Sequence, residues 1–281
     1  MFDRMRRGWN LAKQSAEVLK LDKELLLFPI LSGAACVVVM ASFAIPIIYS
    51  GMLDGVADEA NTGSQALLAV LSFLFYFVSY FVIIFFNSAL VACAIIRLKG
   101  GDPTVRDGFG AAMDRLPQIA GWALVAATVG MILKIIESRS ERVGQIVAGL
   151  LGMAWSITTF FVIPVLVVEK TGPVNAVKRS VAVMKKTWGE SLTGNMGIGF
   201  ISGLASLLGA IPIMGGVALL SSSAVLGGML IALGALWILF VSLISSALSS
   251  ILLAALYIYA AEGKMPGHYD SDMIQGAFAN K

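Results

Sequence analysis

Charge is scarce in this sequence: Asp, Glu, Lys and Arg make up 13% of its 281 residues, about half the share of an ordinary soluble protein. Apolar residues make up 58%, and mean hydropathy is +0.87. A soluble fold this apolar would expose large sticky patches, so lipid must solvate much of the surface. Histidine occurs once, as His268, and cysteine twice, as Cys36 and Cys93, both within apolar runs. Without a Cys/His cluster neither a metal nor a haem is expected, and no cofactor is implied. The net charge of +3 is too small to point to nucleic acid.

Ionisable groups are also missing from the interiors of the long apolar runs. Proton relays, ion-coupled transport and voltage sensing rely on such groups inside the membrane. Intramembrane hydrolysis needs a nucleophile with a base, or a metal. The expectation is therefore a protein that is not an enzyme, with no catalytic residues. Asp54, Asp58 and Glu59 lack the spacing of a calcium loop and read as a solvated turn.

Six runs are long and apolar enough for transmembrane helices: Leu25–Tyr49, Ala66–Ile96, Pro117–Leu133, Val143–Val168, Leu192–Met214 and Ala224–Ala261. The predicted fold is all-α, a single-domain polytopic membrane helical bundle. Residues 1–24 precede the six-helix domain of 25–261, and 262–281 form a tail. The polar start is too long for a cleaved signal peptide, so it reads as retained. Seventeen of the 20 Lys and Arg fall on one side of these spans, which predicts that both termini are cytoplasmic. The last run is long enough to break, with Gly227, Gly228 and Gly234 as candidate points. Pro29, Pro46, Pro164 and Pro212 mark candidate kinks.

Two charged stretches have helical periodicity. In 173–188, Gly172 can cap and Pro173 can open a helix that Gly189 would stop. Val174, Val177, Val181, Met184 and Trp188 form an apolar stripe, edged by Lys178, Arg179, Lys185 and Lys186. At the N-terminus, Phe2, Met5, Trp9, Ala12, Ala16 and Leu19 repeat that spacing, with Arg6, Lys13 and Lys20 as the basic edge. Sliding Asn10–Lys20 onto Asn175–Lys185 matches five of eleven positions. A weaker third copy lies at about 103–116, with Asp102 and Pro103 opening a helix and Val105, Phe109, Ala112 and Leu116 as its stripe. The plan is thus two or three cytoplasmic amphipathic interfacial helices, each leading into a transmembrane hairpin and together forming three repeated units.

Polar groups within the spans are of the packing kind: Asn87 near mid-span, Thr158 and Thr159, and a ladder of Ser242, Ser246 and Ser250. Gly199-xxx-Gly203 adds a small-residue face, so the last two spans are candidates for homo- or hetero-oligomer contacts.

The stretches "VVEKTGPVNAVKRSVAVMKKTWGE" and "RGWNLAKQSAEVLKLDKELLLFPIL" resemble an uncharacterised family of six-span bacterial and archaeal integral membrane proteins. A looser similarity runs to the membrane domains beside glycerophosphodiester phosphodiesterases, through Glu169, Gly172, Ala176, Ser180 and Trp188. The resemblance implies a helical bundle in a prokaryotic plasma membrane and carries no reaction with it. The expected function is a non-enzymatic scaffold or regulatory subunit. Its basic helices would engage anionic membrane lipid, a partner protein, or both. The alternative is a facilitator or permease for a neutral or amphiphilic solute or lipid, using Asn87, Ser242, Ser246 and Ser250.

Overall fold

A computed structural model describes residues 2–50, 62–139 and 143–269, which are helical with no strand among them. The order is α1 (Phe2–Leu21), a 3-10 turn (Lys23–Leu26), α2 (Leu27–Tyr49), α3 (Thr62–Leu98), α4 (Val105–Met113) and α5 (Leu116–Arg139). Then come α6 (Val143–Thr159), α7 (Val162–Glu169), α8 (Pro173–Leu219), α9 (Ala224–Tyr257) and a π turn (Ile258–Glu262). Among the described residues six stretches are long and apolar enough to cross a membrane, the first Lys23–Tyr49 and the last Ala224–Glu262. The chain is an all-α, multi-pass membrane bundle.

Proline sets several of the helix starts. Pro29, Pro117, Pro164 and Pro173 each lie in the first turn of α2, α5, α7 and α8, where the missing N–H has no partner to lose. Pro29 and Pro164 therefore open helices instead of kinking them. Pro164 also accounts for a difference from the sequence reading, because its ring would clash with the carbonyl of residue 160. The fourth span parts into α6 and α7 at Phe160 and Phe161. The last span does not break at its glycines: α9 runs unbroken through Gly227, Gly228 and Gly234.

Three other boundaries move. Gly189 does not stop the third-quarter amphipathic helix, because α8 continues from Pro173 to Leu219. A mid-helix glycine costs about 1 kcal/mol, less than freeing backbone groups near lipid. The helix of the third span extends past Leu133 to Arg139, into the interval before the fourth apolar run. α4 begins at Val105, so Pro103 stands before the helix, and Asp102 pairs with Arg97.

Contacts divide the chain into two compact units. The first comprises Met1–Pro29, Cys93–Val105 and Lys186–Lys281. In it α1 packs along α9. Arg97, at the end of α3, donates from Nε and Nη2 to both carboxylate oxygens of buried Asp22 and also reaches Asp102. The described part of the tail folds back. Glu262 accepts from Lys99 Nζ at 2.6 Å, and the Gly267 N–H donates to the Leu98 carbonyl at 2.8 Å. Tyr269 is buried, its hydroxyl 2.7 Å from Ser15 Oγ.

Within the same unit α8 and α9 meet along two pairs of glycines. A Cβ on Gly216 would stand 2.6 Å from the Gly227 carbonyl oxygen, and one on Gly234 would strike the Gly209 carbonyl oxygen. Gly209 and Gly216 are seven apart, as are Gly227 and Gly234, the spacing of an antiparallel heptad seam. Gly199 and Gly203 lie outside this seam, with open space around them. Ser202 Oγ donates to Ser245 Oγ at 2.8 Å, and Trp237 Nε1 to the Ala205 carbonyl at 2.8 Å.

The second unit comprises Ile30–Ala92 and Arg106–Lys185. Its α5 and α6 form a hairpin in which Trp122 stacks on Trp155, centroids 5.6 Å apart. The start of α8 wedges against α5: a Cβ on Gly121 would lie 3.0 Å from Pro173 Cγ. The α6–α7 break leaves a backbone donor that α8 satisfies, because the Phe161 N–H donates to Ser180 Oγ at 3.0 Å in a fully buried setting. Ser180→Ala is therefore expected to orphan that donor and cost about 1–3 kcal/mol. Reversible unfolding in mixed micelles measures it, and an undiminished stability would show that the break is held by other contacts.

Candidate functional site

The two strong amphipathic helices place the same register against the protein. On α1 the buried face is Leu11, Ser15, Val18 and Leu19; on α8 it is Ala176, Ser180, Val183 and Met184. These are equivalent positions in the Asn10-onto-Asn175 match. Ala12 and Leu19 of the first expected stripe and Met184 of the second are buried with that face, and the other described stripe residues sit to one side of it. Trp9 is 56% exposed and Val174 67%, while Ala16, Val177 and Val181 are half-buried. Phe2 and Met5 have side chains outside the described residues. The third, shorter helix faces Gly108 and Ala112 inward, and Phe109 meets Phe85 and Phe86 at ring centroids near 6 Å.

This register turns most of the basic edge outward. Lys13 and Lys20 of α1 and Lys178, Lys185 and Lys186 of α8 are exposed. Arg179 differs, because its Nε donates to Glu169 at 2.7 Å and ties the start of α8 to the end of α7. The side chains of Arg6 and Trp188 lie outside the described residues. Glu169, Gly172, Ala176 and Ser180 thus belong to one structural corner: an ion pair, a turn into Pro173, a flush contact and a satisfied backbone donor.

Beside α1 lies an apolar cleft of about 240 Å³. Trp9, Ala12, Lys13 and Ala16 form one wall; Ile198, Ile201 and Ser202 of α8 and Leu248 of α9 form the other. The Ser202 hydroxyl is engaged with Ser245. Ser15 and Tyr269 meet on the neighbouring face of α1, and burial pushes the Tyr269 phenol well above the ordinary tyrosine range, partly offset by its bond to Ser15. That hydroxyl stays neutral in any physiological buffer.

The intramembrane polar residues are dispersed. Asn87 is half-buried on α3. On α9, Ser242 is exposed, Ser246 half-buried and Ser250 buried, and the cross-helix bond belongs to their neighbour Ser245. Thr158 and Thr159 both donate to the Trp155 carbonyl on their own helix.

Several working residues escape a sequence reading. Asp22 and Arg97 are 75 positions apart, and nothing local pairs them. Ser15 and Ser180 were visible as a matched pair in the repeat. The four seam glycines stand in the sequence as two pairs seven apart, Gly209 with Gly216 and Gly227 with Gly234.

No curated protein matches the sequence, and the likeness to phosphodiesterase-associated membrane domains gains no support. A family match covers residues 66–267, from the second span to the folded-back start of the tail. That stretch carries the glycine seam and the Glu169–Ser180 corner. By that match the chain belongs to the family of unknown function DUF6159.

Proposed function

We propose that the chain is a non-enzymatic scaffold or regulatory subunit of the prokaryotic plasma membrane that engages anionic lipid through its basic amphipathic helices. The observation that carries this reading is the shared register of α1 and α8. Both helices bury the face through Ser15 or Ser180 and leave Lys13, Lys20, Lys178, Lys185 and Lys186 exposed. Each lysine near an anionic surface contributes about 1 kcal/mol. Arg179 is set apart, since its ion pair gives it a structural task. The lysine distribution along the chain supports placing both termini in the cytoplasm, which reporter fusions at Met1 and Lys281 test directly.

Replacing those five lysines with Gln is expected to weaken binding of anionic headgroups by roughly a hundredfold or more. The comparison uses native and variant protein in nanodiscs of phosphatidylglycerol and phosphatidylcholine. Equal binding would sink the lipid reading and leave a partner protein as the ligand of the basic edge. A facilitator using Asn87 and the serine ladder has no comparable observation behind it.

A further inference from the structure

We infer that the cleft between α1, α8 and α9 holds one acyl chain of an anionic phospholipid, with its phosphate at Lys13. The inference rests on the lipid-engaging reading and adds a defined single-lipid site to it. The far wall, Ile198, Ile201 and Leu248, belongs to stretches that cross the membrane, so the cleft opens where hydrocarbon is the solvent. Among the described lining residues the hydroxyl of Ser202 donates to Ser245, and the other residues of the far wall are apolar. Apolar cavities stay dry, and an unfilled one forfeits the dispersion contacts of its lining. At about 240 Å³ it falls below the 300–1,000 Å³ typical of whole-ligand pockets, which suits part of a lipid tail.

The rim selects the headgroup. Lys13 lines the cleft and is exposed, so its stem can lie on the apolar wall while its ammonium reaches outward. Lys20 follows on the same edge, and Glu17 between them is the one acidic neighbour there, so the edge keeps a net positive charge. Trp9, half-exposed at the mouth, is the aromatic type enriched at headgroup depth.

The test uses the full chain in nanodiscs doped with phosphatidylglycerol carrying a diazirine on one acyl chain, with adducts mapped by peptide mass spectrometry. Adducts are expected on the peptides bearing Trp9, Ile201 and Leu248. Unlabelled phosphatidylglycerol should compete them away, phosphatidylcholine of the same chains more weakly, and glycerol phosphate or inorganic phosphate not at all. Lys13→Gln should reduce the preference for phosphatidylglycerol over phosphatidylcholine about fivefold, and Ala16→Phe should fill the cleft and abolish the adducts. Adducts spread evenly over the spans, equal competition by phosphatidylcholine, or full competition by a free phosphate would each overturn the inference. The competition series needs only native protein, so it decides even where Ala16→Phe does not fold. If the five-lysine variant loses anionic-lipid binding while the mapped adducts are diffuse, the cleft falls and the functional reading stands. If neither binding nor adducts respond to headgroup charge, both fall.

Discussion

Gly234→Leu is expected to destabilise the chain by about 3 kcal/mol or more, at the upper end of the overpacking range. The added Cβ meets the Gly209 carbonyl oxygen and, at 2.6 Å, Ile213 Cγ1. A flexible side chain could swing away from such a contact, but the Gly209 carbonyl is locked in the hydrogen-bond ladder of α8. Relief therefore requires α8 and α9 to separate along the whole seam, which also strains the Gly216–Gly227 contact. Gly203→Leu is the matched control, because open space surrounds that position and its effect should stay within about 0.5 kcal/mol. Unfolding in graded SDS, read by circular dichroism, compares the two. Losses of similar size at Gly203 and Gly234 would refute the heptad seam.

Arg97→Gln carries the second large effect. Asp22 is 8% exposed, and the guanidinium of Arg97 meets both of its oxygens. Removing the cation leaves a buried carboxylate without a partner, which typically costs 3–5 kcal/mol. Asp102→Asn should cost no more than about 1 kcal/mol, since that side chain is 90% exposed and water screens the pair. Asp22→Leu combined with Arg97→Met is expected to recover most of the loss, because apolar replacements remove the desolvation penalty of both ions. A double variant as unstable as Arg97→Gln alone would show that Arg97 acts through contacts other than Asp22.

How far each feature was legible depends on what lipid does to the hydrophobic signal. In water, an apolar stripe marks the packed face because exposure is penalised. In a bilayer the outer faces of the spans are solvated by hydrocarbon, so apolarity alone does not mark their packed side. On α1 and α8 the stripes marked part of the packed face: Ala12, Leu19 and Met184 are buried, whereas Trp9 and Val174 are exposed. The packed faces also take in residues that let backbones approach or supply a bond, namely Ser15, Ser180, Ala176 and the seam glycines. Gly199-xxx-Gly203 has the right spacing for close approach but faces outward. The clash at Pro164 was legible in principle, yet the break it forces needed Ser180 to receive the freed Phe161 N–H.

The sequence alone determined the medium, the six spans and the proline-led starts of α5 and α8. Composition chooses the solvent, run length must match hydrocarbon thickness, and proline acts on its own backbone. It also determined the exposed lysine edge, because uncompensated charge is excluded from both lipid and protein interior. Only the tertiary structure decided which helix face packs, which glycines touch, where the fourth span breaks and which carboxylate Arg97 neutralises. Those outcomes turn on steric fit and hydrogen bonding between residues tens to hundreds of positions apart, where a hydropathy pattern read along the chain carries no information.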